Sequence, residues 1–526
     1  MASTSDSATT STPLTLTLSS ELLQLASSVE HALSALVSIK APESAPTARQ
    51  PLELVAVVDR SGSMSGSKMK AMKEALMFLV SHGLQKDDKF ALVAFDNNVD
   101  LRLPVMTMDA AGKKKAVEMV TALNTGGSTN LSGGLLKGID VLSQAASSAN
   151  ANANANRAVL LFTDGIANNG ITDSAGIVAA AQGAMVSSPC TVFTFGFGGD
   201  HSESLLRNLS EQTNGLYYYV EKSEDIPVSF ADCLGGLVSV VAQNAVLRID
   251  GLDGGAIAKA HCHYKHEETD SPGSVSLALG DIYAEDEKDV LLTVKLPPLP
   301  QPRPEAAAAV RAQLRYFSVS GSCMESVTAE LAISRPDATP AGQPMPQRLA
   351  EQRERIAVSE ALAAASDLAD RGQIAEGRAM LQEAVAHAKA SPCAASPIVS
   401  NIVKDAMAVE EGYSDAVAYR SYGSKMSKMS AMSHMQQRST HSSGVAYERK
   451  SKMAMKSMFA ASAPPLPPSP PSPPSPSSPL RAVQQAPAAQ FVQAPPTSVK
   501  AKKKAIFKMP SLGSFRGSST DAQDLN

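Results

Sequence analysis

Three short segments of the chain carry side-chain oxygens at close spacing. The first is the D-x-S-x-S run at 59–63, the second is GGSTN at 126–130, and the third is FTDG at 162–165. Each lies at the end of a predicted strand or just before a predicted helix. In an open α/β sheet, ligands bind beyond the carboxyl ends of the strands. We therefore expect five oxygens to converge at that edge, from Asp59, Ser61, Ser63, Thr129 and Asp164.

The expected donor atoms are all hard oxygens, with no His or Cys among them. Such donors select Mg²⁺, Mn²⁺ or Ca²⁺ over zinc or copper. The sequence therefore predicts a divalent-cation site for Mg²⁺ or Mn²⁺, with Ca²⁺ also compatible with these donors. A lone D-x-S-x-S can also be an ordinary turn, because Asp and Ser both accept hydrogen bonds from nearby backbone N–H groups. Agreement among three loops favours the ion.

Two other kinds of site deserve comparison. A phosphate loop needs four residues between its glycines and a Lys directly after the second, but Gly62 and Gly66 are closer and Ser67 precedes Lys68. The HCH run at 261–263 could suggest structural zinc, yet on a strand its two His share one face while Cys points away. The spacing of Gly62, Gly66 and Lys68 therefore argues against a phosphate loop. For residues 261–263, an ordinary surface strand is favoured over a zinc site. We expect no catalytic residues.

Near-continuous apolar runs alternate with amphipathic stretches from residue 52 to about 250. Such runs are typical of strands buried on both faces of a parallel sheet, and the stretches between them have helical periodicity. The predicted strands are LELVAVV (52–58), FALVAF (90–95), VLLFT (159–163), TVFTFGF (191–197) and YYYV (217–220). This order predicts right-handed βαβ units in an α/β fold with a doubly wound, mostly parallel sheet.

The remaining sequence predicts four further parts. Runs such as SVSLALGDI alternate apolar and polar residues with period two, which indicates an antiparallel β-sandwich. Further along the chain, residues 412–512 hold 14 Lys/Arg against two acidic residues, so this part is strongly basic. The expected organisation is an N-terminal, partly helical segment (1–49), the α/β domain (50–243), the β-sandwich (244–345), a helical hairpin turning at Arg371–Gly372 (346–411) and a disordered, basic tail rich in Met, Ser and Pro (412–526).

Composition limits the class of protein. Of 526 residues, 44% are hydrophobic and 19% are charged, which is ordinary globular usage. The five Cys are scattered without a C-x-x-C pair, so a disulfide scaffold or zinc ribbon is not expected. No apolar run is long enough to span a membrane, and the N-terminus lacks the pattern of an export signal. We expect a cytoplasmic protein, with the nucleus as an alternative.

The motifs D-x-S-x-S, G-G-S-T-N and T-D-G, in this order, resemble the metal-ion-dependent adhesion site of the von Willebrand factor A domain. The resemblance covers roughly residues 50 to 245. It implies a divalent ion held by Ser61 and Ser63, with Thr129 direct or water-bridged and Asp59 and Asp164 mostly bound through water. It also implies an open coordination position for an acidic group of a partner. If both carboxylates stay in the outer shell, the ion remains incompletely neutralised and gains from a carboxylate supplied in trans.

Later segments, such as LGDIYAEDEKDVLLTVKLP, resemble the intracellular A-domain proteins of plants and protists. Some of those carry an N-terminal RING and are ubiquitin ligases. Residues 1–49 contain no Cys, so they cannot form the zinc cross-brace of a RING. We therefore expect a non-enzymatic, metal-dependent protein-binding scaffold or adaptor. The alternative is a non-catalytic component of a ubiquitin-ligase complex that uses a RING in trans.

The tail suggests binding rather than chemistry. The proline block Pro464–Pro479 can adopt polyproline II, which could dock on an SH3, WW or profilin-like groove or act as a solvated spacer. Lys500–Lys508 carries five Lys with Ile506 and Phe507 between them, enough for transient contact with an anionic membrane. No module for specific nucleic-acid recognition is present. A further alternative is that the tail is the functional part and the α/β domain is only structural.

Overall fold

The computed structural model describes residues 14–43, 49–147, 155–186, 189–267, 269, 271–440 and 443–462. Its strands are β1 (Thr15–Ser20), β2 (His31–Lys40), β3 (Leu52–Asp59), β4 (Lys89–Phe95), β5 (Val99–Thr107), β6 (Asn156–Thr163), β7 (Thr191–Phe197), β8 (Tyr217–Val220), β9 (Val240–Gly251), β10 (Ala256–His261), β11 (Lys265–Glu267), β12 (Ser274–Tyr283), β13 (Glu287–Leu296), β14 (Arg303–Ser318) and β15 (Cys323–Arg335).

Helices cover both faces of the first sheet and form most of the described residues after β15. They are α1 (Ser67–Phe78), α2 (Ala110–Thr121), α3 (Leu131–Ala146), α4 (Ser174–Met185), α5 (Glu203–Glu211), α6 (Ile226–Leu237), α7 (Gln347–Asp370), α8 (Ile374–Ala390), α9 (Pro397–Glu411), α10 (Ala416–Ala418), α11 (Ser424–Gln436) and α12 (Lys450–Ser462). A wide helical turn at Tyr419–Gly423 joins α10 to α11.

The α/β domain is built on a six-stranded sheet in the order β5-β4-β3-β6-β7-β8. Its strands pair in parallel except β5, which is antiparallel to β4. Every residue of β3 is buried, as expected for a strand covered on both faces. This confirms the predicted doubly wound, mostly parallel fold. The edge strand β5 was not predicted, because the charged residues Asp100 and Arg102 interrupt its apolar pattern.

The predicted N-terminal segment is wrong in its secondary structure. Residues 1–49 were expected to be partly helical, but β1 and β2 are strands of the sandwich, whose sheets have the orders β1-β2-β13-β10 and β11-β12-β9-β14-β15. β2 pairs antiparallel with β13 along its whole length. Alternate residues of β2 are buried in the sandwich core, namely Leu33, Ala35, Val37 and Ile39. This period-two burial outweighs the helix propensity of its Leu and Ala residues.

The helical region at 346–411 contains one helix more than the predicted hairpin. α7 and α8 do turn at Arg371–Gly372, but α9 follows with Pro397 in its first turn and Ser396 as its N-cap. Ser396 Oγ accepts a hydrogen bond from the backbone N–H of Val399. The region therefore holds three helices, since the cap and proline start a new helix after the Ser-Pro turn.

Residues 412–440 and 443–462 are folded rather than disordered, which corrects the prediction for the first part of the tail. Most residues of α11 are buried, and Met426, Met429 and Met432 belong to the core cluster that also contains the α/β domain. Met435 packs instead on Leu36 and Leu291 of the sandwich. A methionine every three residues places these side chains on neighbouring positions of a helix. Residues 463–526, including the proline block and Lys500–Lys508, lie outside the described residues.

Ion pairs of two buried lysines fix this segment to distant parts of the chain. Lys428 Nζ lies 2.9 Å from Glu203 Oε1 of α5 and 2.9 Å from Asp370 Oδ2 of α7. Burial alone would raise the pKa of Glu203, but the charge and hydrogen bond of Lys428 bring it to about 2. In α12, Lys452 Nζ lies 2.8 Å from Asp232 Oδ2 of α6. Lys428 and Lys452, two of the basic residues that suggested a solvated tail, are thus internal partners of acidic residues.

Replacing Gly235 by Ala should destabilise the contact between α6 and α12. A Cβ at Gly235 would lie 2.6 Å from Lys452 Cα, so the helices must move apart. We expect a loss of about 1–3 kcal/mol in the free energy of unfolding, the usual cost of overpacking, measured by urea denaturation. Gly183→Ala in α4 is the matched control, because nothing lies within 4 Å of its added Cβ and alanine favours a helix. Equal stability of the two variants would contradict the packing.

None of the helices within the described ranges combines the length and apolar character needed to cross a bilayer.

Candidate metal centre

The candidate site lies where β3 and β6 end. The two strands pair in parallel with Val58 opposite Phe162. Asp59, the last residue of β3, therefore comes level with Thr163, the last residue of β6. Thr163 Oγ1 donates a hydrogen bond of 2.6 Å to Asp59 Oδ2. Asp164 follows immediately, so the two site carboxylates leave neighbouring strands at the same edge.

The first loop folds its hydroxyl groups towards these carboxylates. The backbone N–H of Ser61 donates to Asp59 Oδ1 at 2.8 Å, and a single helical turn at Gly62–Met64 follows. Ser61 Oγ and Ser63 Oγ are 3.1 Å apart, and Ser63 Oγ donates to Asp164 Oδ1 at 2.8 Å. Because 101 positions separate Ser63 from Asp164, this contact closes the site between the first and third loops.

Backbone hydrogen bonds hold the second loop between the other two. The N–H of Gly126 donates to the carbonyl of Arg60 at 2.8 Å, and the N–H of Gly62 donates to the carbonyl of Gly127 at 3.2 Å. On the other side, the N–H of Asn168 donates to the carbonyl of Thr129 at 3.1 Å. Asn168 Oδ1 in turn accepts from the N–H of Thr129 at 2.8 Å. The position of Thr129 is therefore set by both neighbouring loops.

The absence of a side chain at Gly165 leaves room for the hydroxyl of Thr129. A Cβ built on Gly165 would lie 3.2 Å from Thr129 Oγ1 and 3.9 Å from Asp59 Oδ2. Both oxygens thus face the same small space beside the third loop. The structure places all five predicted site residues at this edge: Ser61, Ser63 and Asp164 in one hydrogen-bonded chain, with Asp59 and Thr129 next to it.

Burial makes this cluster electrostatically unusual. Asp59 is 0% exposed and Asp164 is 1% exposed, and Ser61 and Thr129 are buried as well. Burial raises the pKa of Asp59, although hydrogen bonds from Thr163 and Ser61 oppose the change and nearby Asp164 adds to it. Two buried carboxylates side by side are costly unless cations compensate them. Ser63 is exposed, so the cluster opens to solvent at that residue.

The residues present fit a hard divalent cation. Carboxylates and hydroxyls are the donors that Mg²⁺ and Ca²⁺ use, and a cation would offset the burial that disfavours the charge of Asp59. Within the described ranges, no group of three or more His, Cys, Asp or Glu side chains is placed to hold a metal. An ion at this edge would therefore depend on Ser61, Ser63 and Thr129 together with the two carboxylates. The side chains of residues 261–263 likewise form no such group, so a zinc site there has no support.

Sequence reasoning missed three residues of the site. Thr163 binds Asp59, Gly165 leaves room for Thr129, and Lys68 lies on the first turn of α1 with its Nζ 2.5 Å from Asp164 Oδ2. Thr163 and Gly165 flank Asp164 in the third motif, so their positions were visible but not their contacts. In the sequence, Lys68 resembles only the lysine of a phosphate loop, whose spacing it does not match. A lysine one helical turn after D-x-S-x-S was the signal available for it.

A buried histidine near this edge should make stability depend on pH. His201 Nε2 lies 2.6 Å from Tyr217 Oη, and burial lowers the pKa of His201 to about 4. A histidine in the unfolded chain has a pKa of about 6.5. Above that pH the folded protein pays no cost for keeping His201 neutral, and the free energy of unfolding falls as the pH falls from there towards 4. We expect a loss of about 2 kcal/mol between pH 7 and pH 5 from this group. Urea denaturation at both pH values should show a smaller loss for His201→Gln, and identical losses would contradict this prediction.

Comparison with known protein families identifies the α/β domain. Residues 53–232 match the profile of the von Willebrand factor type A domain. E3 ubiquitin-protein ligase WAV3 of Arabidopsis thaliana is 28% identical over 303 residues, which is 55% of this chain and 36% of that protein. Human inter-alpha-trypsin inhibitor heavy chain H1 is 30% identical over 198 residues, covering 38% of this chain and 21% of that protein. The matched part of the chain thus spans about a third of the length of WAV3 and about a fifth of the length of heavy chain H1.

Two solved structures share the fold beyond this domain. A von Willebrand factor type A protein from Catenulispora acidiphila superposes with a TM-score of 0.60 at 19% identity, covering 76% of this chain and 96% of its own. The ArnB paralog VWA2 from Sulfolobus acidocaldarius gives a TM-score of 0.54 at 15% identity, with coverages of 80% and 98%. At these identities the likeness concerns the fold alone.

Proposed function

We propose, for a chain whose residues 53–232 form a von Willebrand factor type A domain, the role of a metal-dependent protein-binding scaffold or adaptor. Domains of this family typically mediate protein interactions. The observation that carries the proposal is the convergence of two buried carboxylates and three hydroxyls at one open sheet edge. In this proposal Asp59, Ser61, Ser63, Thr129 and Asp164 hold Mg²⁺ or Mn²⁺, and the protein has no catalytic role of its own.

A bound divalent ion would supply a coordination position for an acidic residue of a partner protein. Three features of the chain favour that use. The two carboxylates are buried, Ser63 faces solvent, and the three loops are held together by backbone hydrogen bonds. A site preorganised in this way loses little conformational entropy when a partner binds. In this proposal the β-sandwich and α7–α12 act as structural support for the α/β domain that contains the site.

Capture from lysate tests this role. The full-length chain on beads should retain partners in buffer with Mg²⁺, lose them in EDTA, and regain them when Mg²⁺ or Mn²⁺ is added back in excess. Proteins retained equally in EDTA would be binding elsewhere on the chain. A set of captured proteins that does not change with the ion would contradict the proposed function.

A second candidate is a non-catalytic part of a ubiquitin-ligase complex that uses a RING in trans. It is favoured by the similarity to the Arabidopsis ligase WAV3, whose 303 matched residues extend beyond the 53–232 domain. Reconstitution with E1 and E2 distinguishes the candidates. The chain alone should form no ubiquitin chains, and a RING partner should restore them only if this candidate is correct.

The segment after residue 462 is proposed as an accessory binding region. Pro464–Pro479 would engage an SH3, WW or profilin-like groove, and Lys500–Lys508 would give transient contact with anionic membrane. Deleting residues 463–526 should change localisation while metal-dependent capture stays intact. Loss of metal-dependent capture in that variant would assign partner binding to the tail instead.

A further inference from the structure

Lys68 places a fixed positive charge beside the candidate ion site. Its Nζ lies 2.5 Å from Asp164 Oδ2, and its side chain is 29% exposed, whereas that of Asp164 is 0% exposed. The other oxygen of Asp164 accepts from Ser63. We propose that Lys68 is a positioning and specificity-determining residue, which leaves the loaded site with a net positive charge and so restricts partners to anionic groups. This inference rests on the proposed function.

Formal charges give the reason. Asp59 and Asp164 contribute two negative charges, and Lys68 returns one positive charge, so the side chains sum to −1 when all three are ionised. A divalent cation then brings the site to +1, and a single carboxylate from a partner brings it to zero. Without Lys68 the loaded site would already be neutral. Opposite charges attract strongly only where solvent is partly excluded, and the burial of Asp59 and Asp164 provides that environment.

The contacts of nearby residues support assigning this charge to the site. Arg60, also in the first loop, is engaged by Asp96 at 3.1 Å and Asp100 at 2.8 Å. Lys68 instead is paired with a site carboxylate. A Cβ built on Gly198, at the end of β7, would lie 3.8 Å from Lys68 Nζ. The ammonium group therefore lies against the third loop, at Asp164, and close to the loop after β7.

The inference predicts opposite effects on the ion and on its anionic partner. Removing the charge of Lys68 should tighten binding of Mn²⁺, because a cation no longer repels the ion. It should weaken binding of a carboxylate to the Mn²⁺-loaded site, because that site is no longer positive. We expect changes of about tenfold in each affinity from one unit charge at this depth.

The experiment uses Mn²⁺ alone and then acetate as a simple carboxylate. Mn²⁺ binding to the full-length chain is followed by calorimetry, and acetate binding by the fall in water-proton relaxation enhancement as a bound water is displaced. Lys68→Met keeps the apolar stem and removes the charge, and Lys68→Arg keeps the charge as the matched control. Thermal melts without metal check that the variants fold, and Lys68→Gln replaces Lys68→Met if the latter is unfolded.

The expected result is tighter Mn²⁺ and weaker acetate for the neutral variant, with Lys68→Arg close to the wild type. An unchanged or weaker Mn²⁺ affinity, an unchanged acetate affinity, or no acetate binding by the Mn²⁺-loaded wild type overturns the inference. The proposed function fails separately, and the inference with it, if the wild-type chain binds no Mn²⁺ at all.

Discussion

Asp59→Asn is expected to abolish the stabilisation of this protein by Mg²⁺ and the metal-dependent capture of partners, while leaving the metal-free fold intact. Asp59 is completely buried, and burial raises the pKa of its carboxyl, so its negative charge is unfavourable in the absence of a cation. A neutral amide of the same shape removes that charge. Metal-free Asp59→Asn should therefore melt at the wild-type temperature or above it.

The difference appears when the ion is added. An ion at a hundredfold excess over its Kd stabilises a native protein by about 2.7 kcal/mol, and Asp59→Asn should gain none of this. Asp100→Asn is the matched control, because Asp100 is an acidic residue of the same face whose side chain is 43% exposed and pairs with Arg60. If Mg²⁺ stabilised both variants equally, the assignment of Asp59 to the ion site would be wrong.

Asp232→Asn is expected to cost about 3–5 kcal/mol of unfolding free energy, the usual result of removing one partner from a buried ion pair. Asp232 Oδ2 lies 2.8 Å from Lys452 Nζ, and Oδ1 lies 2.9 Å from Lys456 Nζ. Tyr218 Oη also donates to Asp232 at 3.0 Å. Burial would raise the pKa of Asp232, but the two lysines outweigh it and hold that pKa below its usual value. Without the carboxylate, the buried Lys452 ammonium keeps its hydrogen bonds to Ser439 but has no negative charge to balance it.

The effect of Asp232→Asn should be measured by urea denaturation and compared with Glu448→Gln. Glu448 pairs with Lys456 at 2.7 Å, but its side chain is 27% exposed, so its removal should cost at most about 1 kcal/mol. A cost below that value for Asp232→Asn would mean that α12 does not depend on this pair. The same experiment therefore tests whether residues 450–462 belong to the folded protein.

The α/β domain could be predicted because short stretches of sequence are enough to identify its strands and its site loops. Five apolar runs marked strands buried on both faces, and the motifs at 59–63, 126–130 and 162–165 marked the loops at their ends. Parallel pairing of β3 with β6 then brings Asp59 next to the third motif. What the motifs could not supply was Lys68 as the partner of Asp164.

The N-terminal and C-terminal segments could not be predicted, because their structure depends on distant partners. β2 is stabilised by β13, with Val37 opposite Val290, and its alternation was too short to outweigh its helix-forming residues. The Met and Lys residues of α11 have helical spacing, but Lys428 is paired with Glu203, 225 positions away. A basic, serine-rich sequence is typical of solvated chain unless such partners are known.

Calorimetric titration of the full-length wild-type chain with Mg²⁺ and with Mn²⁺ tests the central claim most directly. Oxygens from Asp59, Ser61, Ser63, Thr129 and Asp164 meet at one edge of the sheet, and we predict one ion bound per chain by these residues. Saturable heat with that stoichiometry, absent in Asp59→Asn, is the predicted result. No saturable heat with either ion, or equal heat from Asp59→Asn, would contradict the account.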